Sequence, residues 1–399
     1  MPTKSQNFTK FLTDERVILA LICLFDLLFL LYCVSTISLS YYEARQFFED
    51  RNLLGFIVRL SCEFLGQNDY AIRLPMIVFH ILSVILLYKI SKFYLKFKFD
   101  RILAVLLFVF LPGSVVGGLV VSSSGLCLML TLFVIWLFCN QNFRLFYLFL
   151  VLLVFVDEAF LVLYLSLFIF GIYKKDPILS WLCAVLFGVS LYFFGFDTGG
   201  RPRGHFADTF GIFAATFSPP IFAFFVYTIY RIWVKESKEI LWFVCVVAFC
   251  FCMVLSIRQR LELENFLPFC LISTPLMVRV FLNSYRVRLP QFRKKYNILA
   301  VFLSAFLVFN WFLIIFNPIL YQFISEPKMH FANKFHYAKE LAKSLKERDI
   351  NAVFSDEKLA FVLKFYGILP GGEYILTDGD DIKIEKFGKI IANFGLKKL

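Results

Sequence analysis

Long apolar runs separated by short polar or cationic stretches dominate the chain. Such runs place backbone in lipid, where only a helix or a closed barrel satisfies every peptide group, and about 20 apolar residues carry a helix across the hydrocarbon. On that spacing the pattern predicts helices over 17–37, 74–94, 102–121, 126–139, 145–156, 159–172, 178–196, 210–232, 240–256, 266–282 and 298–317. The fold class expected is an α-helical polytopic membrane protein of about eleven spans. Within 126–172 the segments are short, and Asp157-Glu158 interrupts what is otherwise one apolar run. Fusion there lowers the count to about nine. Pro75 falls in the first turn of the second segment, where a missing N–H leaves no bond unmade.

Charge orients these helices. Lys89, Lys92, Lys96, Lys98 and Arg101 share one loop, Lys174 and Lys175 another, Arg231, Lys235 and Lys238 a third, and Arg286, Arg288, Arg293, Lys294 and Lys295 a fourth. With either count all four loops fall on the side of the amino terminus, which the positive-inside rule makes cytoplasmic. The expected setting is the plasma membrane, in bacteria the inner membrane. The outer face then owns 38–73, 112–125, the Asp157-Glu158 turn, 197–208, 257–264 and everything after Asn317. A composition of 60% apolar residues, 54 Phe and 18% charged residues excludes a soluble enzyme, a disordered or collagenous chain and an outer-membrane barrel. The formal net charge of +12 reads as topology, not as a nucleic-acid footprint. The ten cysteines form no CxxC pair and no Cys/His metal spacing, which makes them packing residues. The apolar run after the polar start 1–16 is too long for a cleavable signal and lacks a small-residue cleavage site, so it reads as an uncleaved span.

From Ser325 the composition turns soluble. Apolar residues at helical spacing follow His336, Ala352-Val-Phe reads as a strand, 358–366 as a helix and Tyr374-Ile-Leu as another strand, with Pro370-Gly-Gly a turn. The expected organisation is a transmembrane domain over 1–324, with an amphipathic first outer loop at 38–73, and a small α/β domain over 325–399 on the outer face. No Lys-Ser/Thr follows Pro370-Gly-Gly, so it is not a phosphate loop.

Polar groups are expensive near lipid, which narrows the candidate chemistry. Glu43 opens the amphipathic loop. A carboxylate held among aromatic rings at the water–lipid boundary is suited to take a proton; the alternative is a solvated acid beside Arg45 or Arg51. Asp157 and Glu158 are either site acids or a plain surface turn. Asp26 and His80, alone within their spans, read as hydrogen-bonded packing residues. Arg201 and Arg203, with His205 beside them, and Arg258 and Arg260 run against the positive-inside bias. A guanidinium offers a planar fork of donors that suits a phosphate, whereas Glu262 and Glu264 could instead pair with Arg258 or Arg260.

Ser40-Tyr-Tyr-Glu-Ala-Arg-Gln-Phe-Phe, then Phe64-Leu-Gly-Gln-Asn-Asp-Tyr-Ala-Ile-Arg-Leu-Pro-Met, then Arg258-Gln-Arg leading to Asn265-Phe-Leu-Pro-Phe, with a carboxy-terminal outer domain, resembles the GT-C superfamily of polyprenyl-phosphate-sugar-dependent glycosyltransferases. Within it the chain is similar to the branch of protein mannosyltransferases and lipid A aminoarabinose transferases (glycosyltransferase family 39-like). Three places depart from that pattern. Tyr42 stands where the family has the Asp of its Asp-Glu pair, Ser122-Ser-Ser-Gly replaces an Asp-containing stretch, and Asp157-Glu158-Ala159 replaces a Thr-Lys-Gly turn.

The resemblance implies an inverting transfer from a polyprenyl-phosphate-linked sugar to a lipid, glycan or protein acceptor on the outer side. For that mechanism the candidate catalytic residues are Glu43, as base or acceptor binder, and Asp157 or Glu158 as an additional site acid; Arg201, Arg203, Arg258 and Arg260 are candidates for the donor phosphate, and Tyr42, Arg73 and His205 for substrate. Membrane lipids are the other expected partner. No metal-ligand set is visible, and a divalent ion stays open. Two other readings remain: a transporter or lipid flippase, against which stands the absence of an internal hydropathy repeat, and a catalytically inactive relative, which Tyr42 keeps in play.

Overall fold

The computed structural model describes residues 14–195, 204–258 and 266–399. In order the chain forms α1 (Glu15–Thr36), α2 (Tyr41–Phe48), α3 (Leu53–Leu65), α4 (Asp69–Tyr94), α5 (Lys98–Phe110), α6 (Pro112–Leu119), α7 (Ser123–Cys139), α8 (Phe143–Leu153), α9 (Phe160–Lys174) and α10 (Pro177–Phe194). It continues with α11 (Phe206–Phe217), α12 (Pro219–Lys235), α13 (Ile240–Ser256), α14 (Pro268–Leu271), α15 (Thr274–Arg286) and α16 (Lys294–Ile315). The carboxy-terminal part adds α17 (Ala338–Glu347), β1 (Ala352–Phe354), α18 (Glu357–Phe365), β2 (Leu369–Lys386) and β3 (Lys389–Lys398).

Every apolar segment expected from the sequence is occupied by a helix or a helix pair, and this is a multi-pass membrane protein. Among the described residues α1, α4, α10 and α16 are each long and apolar enough to cross a membrane. The bent pairs α5/α6 and α11/α12 raise that to as many as six, and α7, α8, α9 and α13 are shorter apolar helices. The stretch 126–172 stays three separate helices, with a turn over 154–159 carrying Asp157 and Glu158.

Two expected single helices are broken. The first bends by 62° at Leu111, before Pro112, and the second by 103° at Ser218, before Pro219-Pro220. A proline pushes the residue before it out of the helical region. Leu111 is accordingly extended (φ −64°, ψ 129°), and Ser218 sits at φ 72°, ψ 134°. A third correction concerns Pro75, which lies inside α4 and not in its first turn, because the helix starts at Asp69. Proline cannot donate to the carbonyl four residues back. The hydroxyl of Ser61 on α3 donates to that carbonyl, Ala71 O, at 2.6 Å, so the group the proline leaves bare is satisfied.

The chain divides into two compact units. One comprises Met1–Leu27, Val78–Gly118 and Ser123–Trp311; the other comprises Leu28–Ile77, Leu119–Ser122 and Phe312–Leu399. The first is packed around fully buried aromatic rings such as Phe108, Phe146, Phe160, Phe213, Phe225 and Phe269. Its buried polar pair is Asp26 with His80, Oδ2 to Nε2 at 2.8 Å. Phe108 stacks on the imidazole, and a Cβ added at Gly118 would lie 2.9 Å from His80 Cγ. The two residues that read separately as packing groups are each other's partner. Asp100 and Arg286 form a bidentate pair at 2.5 and 2.6 Å, and Glu15 accepts from Tyr88 and Arg101.

The second unit joins the amphipathic first loop to the carboxy-terminal lobe. Its three-stranded sheet has the order β1-β2-β3, with β1 parallel to β2 and β2 antiparallel to β3. Leu341, Leu345, Val353, Leu363, Ile382, Ile384 and Ile391 fill its core. Pro370-Gly-Gly is not a turn but an irregularity inside β2. Val353 pairs with Pro370 while its neighbour Phe354 pairs with Ile375. Gly372 is required there: its φ is +101°, and a Cβ would lie 2.6 Å from Ala352 O. β3 and the two-residue Phe387-Gly388 turn that precedes it were not expected from the sequence.

Candidate functional site

Four residues, 37–40, connect α1 to α2 without regular structure. Ser40 is the N-cap of α2, in extended backbone, and with Glu43 three residues on it makes a reciprocal capping box. Glu43 Oε2 accepts from Ser40 N at 2.9 Å and Ser40 Oγ at 3.1 Å, while Glu43 N donates to Ser40 Oγ at 3.4 Å.

The same carboxylate meets Arg73 of α4. Arg73 Nε donates to Oε1 and Nη2 to Oε2, both at 3.1 Å, and Val121 N donates to Oε1 at 3.2 Å. Glu43 thus accepts five hydrogen bonds, and neither it nor Arg73 has any exposed side-chain surface. Two further Arg73 donors go to the connector: Nη1 to Ile37 O at 3.2 Å and Nη2 to Ser38 O at 2.9 Å. A carboxylate has about four lone-pair sites, and here they are saturated.

The carboxy-terminal lobe completes the hold on the connector. Ser38 N donates to Phe335 O at 2.6 Å, and Leu39 N donates to the Tyr366 hydroxyl at 2.8 Å. Tyr366 in turn donates to Asp69 Oδ1 at 2.6 Å, and Lys339 Nζ pairs with Asp69 Oδ2 at 2.7 Å. Burial, then the Asp69 charge, pushes the Tyr366 phenol far above its ordinary range, so it stays a donor. Each residue of 37–40 therefore has a backbone group fixed by a side chain or by the lobe. The result is a rigid start for α2, from which Tyr42 projects with 70% of its surface exposed.

These positions bring two of the predicted site residues, Glu43 and Arg73, into direct contact. Glu43 is not a solvated acid beside Arg45 or Arg51: Arg45 instead faces Glu49 and Asp50, and Glu43 is buried against Arg73. Arg73 has no exposed side-chain surface, and its partners are Glu43, Ile37 O and Ser38 O. The remaining candidates of the first unit lie apart in sequence and in fold elements. Half-buried Asp157 accepts from Ala159 N at 2.9 Å, and Cys127 of α7 hydrogen-bonds its carboxylate. Glu158 follows it, exposed. His205 stands at the N-cap position of α11 without a side-chain capping bond and lies 3.6 Å from Asp208. Arg258 follows the end of α13, whereas Arg201, Arg203 and Arg260 lie outside the described residues. Among the described residues no group of three or more His, Cys, Asp or Glu is placed to hold a metal ion.

Sequence reasoning missed Ser40, Asp69, Tyr366, Lys339 and the Val121 amide. Only the first had a local signal, since Ser40-Tyr-Tyr-Glu43 is a capping-box pattern. The others meet their partners across separations of 78 to 327 residues.

No protein-family model matches this sequence, and no curated protein matches it. Solved structures do. ArnT from Cupriavidus metallidurans in the apo state is similar over 88% of this chain and 84% of its own, with a TM-score of 0.55 and 11% identity. ArnT from the same organism bound to undecaprenyl phosphate is similar over 89% of this chain and 86% of its own, with a TM-score of 0.55 and 10% identity. ArnT is an aminoarabinose transferase. A polytopic helical membrane part, an amphipathic first loop and a small carboxy-terminal sheet thus form a GT-C-like fold, the fold of ArnT.

Proposed function

We propose that this protein is a membrane glycosyltransferase that takes its sugar from a polyprenyl-phosphate donor at the extracytoplasmic face. The observation that carries this reading is the likeness, over nearly nine-tenths of the chain, to a fold whose ArnT example holds undecaprenyl phosphate. The rigid connector at 37–40 adds to it. A buried ion pair is costly to desolvate, and here it stabilises a loop that the lobe also grips.

The step proposed is an inverting displacement. An acceptor hydroxyl oxygen bonds to the anomeric carbon, the carbon–oxygen bond to the lipid phosphate breaks, the hydroxyl proton passes to a carboxylate, and polyprenyl phosphate leaves with the electron pair. Negative charge grows on the leaving phosphate, so guanidinium groups there lower the barrier. Arg201, Arg203, Arg258 and Arg260 take that role in this reading. Saturation of Glu43 moves the role of base to Asp157 or Glu158. Tyr42 and His205 are assigned to substrate, and Glu43 with Arg73 to positioning. The amino terminus is assigned to the cytoplasm of a bacterial inner membrane, on the loop charges.

A second reading, a relative that keeps the lipid site but performs no transfer, is favoured by Tyr42 at the position of the family's acid. One experiment separates the two. Purified protein in liposomes is given radiolabelled polyprenyl-phosphate sugars, with Asp157→Asn and Glu158→Gln alongside. Transfer by the wild type, lost in one of the variants, is expected. Transfer unaffected in both variants removes them as the base, and binding of donor without any transfer selects the inactive reading.

A further inference from the structure

A cavity of about 410 Å³ lies within the second unit, with neither Glu43 nor Arg73 in its lining. One wall is the last turn of α1 and the segment just after α16, with Tyr32 and Phe316 giving it an aromatic lining. Both helices are long and apolar enough to span a membrane, so the cavity stands where two spans end. That is the level of phospholipid phosphates, and it is where aromatic side chains gather. The next turns expose Phe323, Met329 and Phe331, as a segment resting on a lipid surface does.

The rest of the lining is largely cationic. Lys339 and Lys343 of α17 and Lys386 at the end of β2 contribute to it, against one lining acid, Glu340. Lys386 is held by Glu340 Oε1 and Thr36 O, both at 3.4 Å; Lys339 is paired with Asp69 and Lys343 loosely with Glu347 at 3.8 Å. Two buried polar atoms of lining residues have no partner in the protein among the described residues: Ser38 Oγ and His336 Nε2. The Tyr321 hydroxyl donates to Asn333 Oδ1, which leaves His336 Nδ1 to donate to Tyr321 and Nε2 with a free lone pair. A bound hydroxyl would satisfy it.

A third observation concerns Phe387, which lines the cavity from the tip of the β2–β3 hairpin. Its φ is +51°, followed by Gly388 at +74°, the backbone of a two-residue turn that Asn-Gly suits and a bulky side chain does not. Backbone strain of this kind tends to gather at ligand clamps.

We propose that this cavity binds a phosphate ester that carries a neighbouring hydroxyl, such as the glycerophosphate headgroup of an anionic membrane lipid. The lysines face the phosphate, Ser38 and His336 take the hydroxyl, and Phe387 with Tyr32 and Phe316 covers the apolar part. The wall residue Ser38 also accepts from Arg73, so occupancy bears on the connector that starts α2.

The test uses the full-length protein in uncharged micelles, titrated with dihexanoyl phosphatidylglycerol, dihexanoyl phosphatidylcholine and glycerol 1-phosphate, and read by native mass spectrometry and thermal unfolding. Saturable binding of phosphatidylglycerol over phosphatidylcholine is expected. Lys343→Glu, on an exposed side chain, should weaken it roughly tenfold or more. Phe387→Asn should weaken it too while raising the unfolding temperature, because Asn tolerates positive φ. Competition by glycerol 1-phosphate assigns the site to a soluble ester, and its failure to compete assigns it to the lipid. Equal binding of both lipids, or wild-type phosphatidylglycerol binding in both variants, overturns the proposal. Because nothing here depends on sugar transfer, an inactive enzyme leaves the result unaffected.

Discussion

Among the described residues each unit holds one acid–base side-chain pair with both partners buried, Glu43 with Arg73 and Asp26 with His80, and the two pairs differ in how completely they are satisfied. Glu43 and Arg73 satisfy one another and also bind Ser40, Ile37, Ser38 and Val121. Asp26 and His80 share a single contact, and His80 Nδ1 has no partner among the described residues. The first pair organises backbone that has no helix or strand to order it. The second joins two helices whose backbones are already satisfied. Burying charge gains stability only where removing it would strand other groups, and that distinguishes the two.

The comparison breaks most visibly at Arg73. Arg73→Met strands the Glu43 charge and two carbonyls, and should lower stability by about 3–5 kcal/mol or prevent accumulation of folded protein, as seen by fluorescence-detected gel filtration and thermal unfolding. Next comes pH. Burial, helped by the Lys386 and His330 charges, holds His336 down to about 3 against an ordinary 6.5. Between those values the unfolded lobe takes a proton that the folded lobe refuses, so stability is full above pH 6.5 and falls as pH drops. From pH 7.5 to 5 the loss should be about 2 kcal/mol, and His336→Asn should flatten it. Ser40→Ala removes the cap of α2 and should cost about 1 kcal/mol in the same melts. The double change Asp26→Leu with His80→Leu should be the mildest, within about 1 kcal/mol of the parent, because it removes both partners of the hydrogen bond and strands no backbone group. A loss as large as that of Arg73→Met would show that the two pairs do the same work.

The membrane part was legible because lipid imposes one rule on length and polarity. The helix 240–256 has the ends its apolar run predicts. The breaks at Leu111 and Ser218 were written in Pro112 and Pro219-Pro220, but hydropathy is blind to them. The lobe was partly legible: its two helices and first strand follow local periodicity, whereas the β2 irregularity depends on Gly372 meeting Ala352. The candidate site was least legible. Glu43 stood out as an acid in the right place, but its availability depends on Arg73 and Val121, and no local pattern reveals a contact made only in three dimensions. Tyr42 remains exposed where the family pattern has an acid, a difference that only chemistry will interpret.

The most direct measurement is equilibrium binding of undecaprenyl phosphate to the purified, folded protein, with a polyprenyl alcohol of equal length as the control. Saturable binding that requires the phosphate is the predicted result. Equal retention of the alcohol and the phosphate, in protein whose unfolding transition is intact, would contradict recognition of polyprenyl phosphate and with it the proposed function.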